Sequence, residues 1–300
     1  MRYSNLSGYL RERYGRRLKK ICIDGGFSCP NRDGKCGTGG CIFCGERGAG
    51  EHIAGGESIT KQVRRALDGA KEDELFIAYF QNFTNTYAPC EILREKYDSA
   101  LIDQRIRILA IGTRPDCIDD GVCHLLAEYN EKLEVWVELG LQTASDEVAR
   151  VINRGYNTEV FDRAVRLLKK YGIKTVVHII AGLPTDDIRG FMRTVDYVQK
   201  TAPFGVKIHS IYVMRGTRLA KMYLEKSYTP PTLDEYTECV AYAISHLPTD
   251  VIIHRLTGDC PPGALLAPDW SRDKHALIDE INERLKQESI TQGCAIVKDN

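Results

Sequence analysis

Apolar and polar positions divide the chain into a repeating alternation of short and long segments. Six short runs are apolar nearly throughout: "ICID" (21–24), "LFIAYF" (75–80), "IRILAI" (106–111), "LEVWVEL" (133–139), "KTVVHII" (174–180) and "VKIHSIYV" (206–213). They are rich in β-branched and aromatic residues, which predicts strands, several of them buried on both faces. The longer segments between them space apolar residues three and four apart, predicting helices near 57–71, 90–102, 118–130, 157–171 and 186–200. In "FDRAVRLLKKYGIK", Phe161, Val165 and Leu168 share one face, Lys169 and Lys170 close the last turn, and Gly172 is the expected C-cap. In "GLPTDD", Thr185 is the expected N-cap of the next helix.

Strand–helix alternation predicts parallel βαβ units with right-handed crossovers, wound into an open sheet or a barrel. Both arrangements place function at the carboxyl ends of the strands. The chemically suggestive loops fall there: a cysteine loop after the first strand, "QNFTNTY" after the second, "GTRPD" after the third and "GLQT" after the fourth. After residue 226 the rhythm changes. "YTPPT" breaks the chain, helices are expected near 232–247 and 271–288, and "IIHRLTGDCPPGALLAPDW" lies between them. Its apolar residues and Trp270 predict a long loop ordered against the core.

Composition narrows the class. With 300 residues, 43% apolar and 27% charged, the chain has ample material for a core, in one large domain or two smaller ones. No run approaches the roughly eighteen apolar residues of a membrane helix, and the amino-terminal segment lacks an apolar signal region, so a cytoplasmic location is expected. Lys and Arg number 41, as do Asp and Glu, so overall charge does not advertise nucleic-acid binding. Arg11, Arg13, Arg16, Arg17, Lys19 and Lys20 nevertheless cluster, as a solvated helix face or as a surface for an anionic partner such as RNA.

Eleven cysteines without an export signal point to metal or redox chemistry rather than a disulfide scaffold. Four of them, Cys29, Cys36, Cys41 and Cys44, occupy "CPNRDGKCGTGGCIFC". Four thiolates would satisfy tetrahedral zinc. An iron–sulfur cluster is the competitor. Gly34, Gly37, Gly39 and Gly40 permit tight wrapping around a cluster, and a loop leaving a strand end in an α/β fold favours a cofactor.

"DGGFSCPNRDG…GGCIFC" resembles the opening of radical S-adenosylmethionine (SAM) enzymes, and more closely their YhcC/YtqA-type branch related to the elongator catalytic subunit. "YFQNFTNTYAP", "GTRPDC", "VELGLQTASD", "INRGYN", "HIIAGLP", "KIHSIYVMRGT" and "HRLTGD…LLAPDWSRDK" follow in the expected order along nearly the whole chain. The resemblance implies a partial (β/α)6 barrel of the TIM type over residues 1–226, with a C-terminal helical extension packed on it over 227–300. It also implies a 4Fe–4S cluster on three cysteines with SAM on the fourth iron. By motif position these are Cys29, Cys41 and Cys44, with sets using Cys36 as the alternative. Three ligands leave one coordination position open for a reactant. Other implied partners are a reductant such as flavodoxin or ferredoxin, and tRNA.

The remaining candidates follow the same frame. Gln81, Asn85 and Thr86 match the region that holds the amino group of SAM in the family, or are turn-forming polar residues. Thr113 and Arg114 end the third strand within reach of ribose or carboxylate. Glu138 lies in an apolar strand, where a carboxylate needs a ligand or an arginine such as Arg154, and Gln142 follows it. Phe43 and Met214 are candidates for contact with adenine and equally for core packing. His178 and His209 are read as core histidines or ligands. His254, Arg255, Asp259, Trp270 and Lys274 are assigned a substrate-facing or barrel-closing role. Relatives in this branch act on, or are associated with, wobble-uridine modification in tRNA, and by that resemblance the expected substrate is a carboxymethylaminomethyl-type uridine side chain, although no residue of the chain fixes it. The alternatives are another substrate, small molecule or protein, or a non-catalytic zinc-binding protein using all four loop cysteines.

Overall fold

The computed structural model describes residues 2–48, 53, 56–258, 260 and 263–296. Its strands are β1 (Leu18–Ile23), β2 (Leu75–Phe80), β3 (Ile106–Thr113), β4 (Glu134–Gln142), β5 (Lys174–Ala181), β6 (Gly205–Ser210), β7 (Val213–Met214), β8 (Ile252–Arg255) and β9 (Leu265–Ala267). Its helices are α1 (Leu6–Tyr14), α2 (Ile59–Leu67), α3 (Cys90–Ala100), α4 (Asp120–Asn130), α5 (Asp146–Val151), α6 (Thr158–Lys170), α7 (Ile188–Thr201), α8 (Arg218–Leu224), α9 (Leu233–His246) and α10 (Lys274–Gln287). Seven strands form one parallel sheet in the order β1-β2-β3-β4-β5-β6-β8. The expected α/β partial barrel is present. The sheet gains a seventh strand, β8, from "IIHR", which the sequence placed in a loop. Four residues ending in His and Arg carry too short an apolar run to stand out. The expected last strand divides: its ladder to β5 ends with the Ile211 amide on the Ala181 carbonyl at 3.0 Å, and β7 beyond it pairs antiparallel with β9.

Period-two alternation explains why this sheet curls around a filled interior. On β4, Val135, Val137, Leu139 and Leu141 join the layer under the helices, while Trp136 joins a separate interior cluster. Ile77 of β2, Ile108 and Ala110 of β3, and Val176 of β5 meet Trp136 there, together with Leu10 of α1. Strands three apart in the sheet, β2 and β5, share one interior cluster because the sheet is concave. Helix α1 therefore plugs the amino-terminal end. It is fastened by Tyr9 and Tyr14, whose hydroxyls each donate to Glu134 at 2.8 Å, and Glu134 also takes Lys174 at 2.7 Å. The basic run is not one helix face: it continues from α1 into β1, at the end of the barrel opposite the strand carboxyl ends. Arg16 and Lys19 pair there with Asp73 and Glu74.

The helices pack as their spacing predicts. Phe161, Val165 and Leu168 of α6 are buried, each burial contributing about 1.5–3 kcal/mol, and Gly172 takes φ +68° just beyond the helix. The cap of α7 is Asp187, which accepts from the Gly190 amide at 2.7 Å. Thr185, expected there, sits two residues earlier at φ +65° in the turn. Asp187 takes the role because it stands immediately before the helix, within reach of the exposed amides of the first turn.

Candidate functional site

At the carboxyl ends of the strands a cavity of about 290 Å³ opens into the barrel. The cysteine loop forms one side. Gly40 makes that loop possible: its φ is +70°, and a side chain there would meet Arg32. Asn31 donates to the Asn153 carbonyl at 2.6 Å, Asn153 returns a bond to Gly40 at 2.7 Å, and the Ile42 amide bonds Ile152 at 3.1 Å. The loop is thus tied to the segment after β4.

Cys29, Cys41 and Cys44 line the cavity. Cys36 is exposed and lies outside it, its Sγ 3.6 Å from Asp116. The hydrogen bond from Cys44 lowers the Cys41 thiol to about 7 against the effect of burial, and Cys44, keeping the shared proton, is raised. Three thiols on one wall of the cavity fit iron–sulfur ligation. Among the described residues no three His, Cys, Asp or Glu side chains gather around a point for a single metal ion.

Of the other sequence candidates, Gln81, Thr113, Arg114, Glu138, Gln142, Arg154 and Met214 line the same cavity, as does Phe43. Asn85 and Thr86 do not. Asn85 braces the wall from behind, donating to the Gly112 and Phe80 carbonyls at 2.7 and 3.2 Å. The Thr86 hydroxyl lies 2.6 Å from that of Thr113 and donates to the Cys117 carbonyl at 2.7 Å. Both are buried polar side chains engaged in holding the β2 and β3 ends together.

Two arginines organise the wall beyond β4. Arg154 is fully buried, and its Nη1 donates to the Leu141 and Thr143 carbonyls at 2.6 and 2.7 Å. Its Nη2 reaches Asp146 at 3.3 Å and its Nε the Tyr156 carbonyl at 3.0 Å. Arg114 forks onto Asp116 at 2.9 and 2.7 Å and donates to the Arg154 carbonyl at 2.8 Å. The Tyr156 ring lies under both guanidinium groups, 4.8 and 4.5 Å from centroid to carbon. A bulge between Gly140 and Gln142 leaves Gln142 at φ +63°, a strained setting that aims it at the cavity.

Glu138 does not pair with Arg154. Its partner is Lys207 of β6, with Nζ 2.5 Å from Oε2, and His178 Nε2 approaches the same oxygen at 3.1 Å. Burial would raise the Glu138 carboxyl, but the charge of Lys207 and the hydrogen bond from His178 hold it well below its usual range. Burial, opposed by Glu138, pushes Lys207 down to about 7. Tyr79, His209 and Arg255 complete this inner end of the cavity. The sequence reading missed Lys207, Tyr79 and Tyr156. A lysine in "VKIHSI" was the available signal, since it is the charge a buried glutamate two strands away requires.

Arg255 of the C-terminal set lines the cavity, whereas His254 is buried at the plugged end, edge-on to Trp136 and Phe204. Trp270 stacks on Tyr236 and donates to the Pro231 carbonyl at 3.0 Å, and Lys274 begins α10. Neither lines the cavity. Asp259 lies outside the described residues.

A parallel half-barrel with clustered thiols above a polar interior cavity defines a class of cofactor-dependent barrel proteins. The Radical SAM superfamily model matches residues 34–198 and the Radical_SAM C-terminal domain model residues 203–287. The chain belongs to the radical SAM superfamily. It is 39% identical over 297 residues to YtqA of Bacillus subtilis (strain 168), covering 97% of this chain and 92% of YtqA. It is 31% identical over 165 residues to the tRNA uridine(34) acetyltransferase of Methanocaldococcus jannaschii, covering 53% of this chain and 29% of that protein. In fold it is similar to the archaeal Elp3 of Methanocaldococcus infernus, with a TM-score of 0.69 at 18% identity. That match takes in 92% of this chain and 64% of the Elp3 chain. The family implies an enzyme that uses a 4Fe–4S cluster and SAM. Among the described residues, no helix is long and apolar enough to cross a membrane.

Proposed function

We propose that Cys29, Cys41 and Cys44 hold the 4Fe–4S cluster, that SAM binds beside them in the cavity, and that the reaction modifies wobble uridine in tRNA. Bound there, the reduced cluster would supply one electron to SAM, whose carbon–sulfur bond would break to give methionine and a 5′-deoxyadenosyl radical. The chain's own residues position and shelter. Of the residues lining the cavity, Arg114 and Thr113 would hold the carboxylate and ribose of SAM, Gln81 its amino group, and Phe43 and Met214 its adenine. Arg154 and Tyr156 fix the wall from which Gln142 projects. The plug of α1 keeps the barrel closed at its far end and would exclude water from that side of the cavity.

The observation that carries the cluster reading is the grouping of three thiols on the cavity wall with Cys36 turned away. The tRNA reading is supported by the similarity to a tRNA uridine(34) acetyltransferase. The substrate favoured is a uridine bearing a carboxymethylaminomethyl-type side chain, with flavodoxin or ferredoxin as reductant. Modified-nucleoside profiling of a deletion strain tests it: the wobble uridine should stop at an earlier intermediate. An unchanged profile, in a strain without a redundant enzyme, refutes the tRNA assignment.

A further inference from the structure

Asn31 ties the cysteine loop to the segment after β4, and it stands where it can do more than that. The residue is 1% exposed, which is deep for so polar a side chain. Its Nδ2 donates to the Asn153 carbonyl at 2.6 Å. It lies 3.5 Å from the Arg154 carbonyl, which already accepts from Arg114 at 2.8 Å. The same Nδ2 lies 3.9 Å from Sγ of Cys41, within donor reach of a sulfur. The other end of the amide, Oδ1, is buried without a hydrogen-bond partner. Two glycines make room for it: a Cβ on Gly37 would collide with Oδ1, and one on Gly155, at φ +82°, would stand 3.1 Å away. The orientation of the amide is therefore fixed, because turning it over would set Oδ1 against the Asn153 carbonyl. That carbonyl is held in its turn, since Asn153 takes φ +54° and anchors its own side chain on Gly40 at 2.7 Å. A buried amide with an unbonded oxygen is costly, and what the arrangement gains is an N–H fixed beside one of the cavity thiols.

We infer that Asn31 is a positioning residue that tunes the cluster through Cys41: its N–H, aimed at that sulfur, makes the cluster easier to reduce. The inference rests on the proposed function, in which Cys41 is a ligand. One electron from flavodoxin or ferredoxin adds negative charge to the cluster and its thiolates, and no bond breaks in that step. An N–H dipole pointed at a ligand sulfur favours the added charge and so raises the reduction potential. Asn31 also fastens the loop, so the test must separate the N–H from the fastening.

The test uses anaerobically reconstituted holoenzyme as wild type, Asn31→Leu and Asn153→Gly. Asn31→Leu removes the N–H at nearly constant size. Asn153→Gly removes the side-chain bond to Gly40 at a position whose positive φ suits glycine, and it leaves Asn31 in place. Reductive titrations followed by electron paramagnetic resonance give the midpoint potential of each. Asn31→Leu should be about tenfold harder to reduce, a downward shift of about 59 mV for one electron. Asn153→Gly should stay within about twofold of wild type. A second measurement needs no loss of the residue. In wild type grown with asparagine isotopically labelled at the side-chain amide nitrogen, pulsed resonance of the reduced cluster should show coupling to the label. Asn153→Gly should keep that coupling and Asn31→Leu should lose it. An unchanged potential in Asn31→Leu overturns the inference, and so does an equal shift in Asn153→Gly, which would make loop fastening the cause. Absence of the labelled coupling in iron-loaded wild type overturns it as well, and this decides the matter even where Asn31→Leu fails to hold its iron. A wild type that assembles no iron–sulfur cluster refutes the proposed function itself, and the inference with it.

Discussion

Glu138→Gln keeps the size and hydrogen-bonding capacity of the side chain but removes the charge opposite Lys207. The two side chains are 1% and 2% exposed and 2.5 Å apart, so water cannot take the place of the missing carboxylate. Breaking one member of a buried pair costs about 3–5 kcal/mol. With an m-value of about 3 kcal/mol per M urea, the unfolding midpoint should fall by roughly 1–1.7 M. The loss should depend on pH. Burial already pushes Lys207 down to about 7, and without Glu138 it falls further. Below pH 7 the wild-type lysine is charged and paired, whereas the variant must bury an unpaired charge or release its proton. The deficit is therefore larger at pH 5.5 than at pH 8. A double variant, Glu138→Leu with Lys207→Met, removes both charges and should regain most of the lost stability. Anaerobic urea titrations of wild type, single and double variants measure all three. A midpoint shift under about 0.3 M, or a double variant no better than the single, refutes the pairing as a buried, mutually dependent unit.

Arg154→Met leaves the Leu141 and Thr143 carbonyls without their donor, so it should cost about 3 kcal/mol and lower the melting temperature by roughly 6 °C. Arg154→Lys should not restore it, because an ammonium cannot fork to three elements at once, and thermal unfolding of both variants checks this. Burial, with help from Asp187, raises the Asp186 carboxyl to about 6, so wild-type stability falls as pH rises from about 4 to 6. Asp186→Asn should thus be more stable than wild type by about 1–2 kcal/mol at pH 7 and no different near pH 3.8; equal stabilities at pH 7 would contradict it. Leu10→Ala in the plug, where the side chain is 4% exposed, should cost about 2–5 kcal/mol, read by urea unfolding, and a silent substitution would show that α1 is not part of the core.

The strand–helix alternation was legible because strands such as β4 are apolar nearly throughout, with Val135, Val137 and Leu139 buried on one face and Trp136 on the other. β8 was not, because its four residues become a strand only by pairing with β6. Site residues divided in the same way. Strand-end position brought Gln81, Thr113, Arg114 and Gln142 to the cavity, but position alone could not show that Asn85 and Thr86 turn back to bond their own strand ends. That Glu138 needed a cation was readable from its apolar strand. That the cation is Lys207 rather than Arg154 depends on which side chains share the concave face, a property of the closed sheet. Cys36, ambiguous by spacing, is set apart from the other three only by where the loop turns, which leaves its thiol exposed beside Asp116 and outside the cavity.

The central claim, a three-cysteine cluster that cleaves SAM, is tested most directly by iron and sulfide analysis combined with 5′-deoxyadenosine formation. The proteins compared are wild type, Cys36→Ser, Cys29→Ser, Cys41→Ser and Cys44→Ser after anaerobic reconstitution and reduction. Wild type and Cys36→Ser should each hold about four iron and four sulfide per chain and release 5′-deoxyadenosine, and the other three should do neither. A colourless wild type holding one zinc and leaving SAM intact, or a Cys36→Ser variant stripped of iron, would contradict the account.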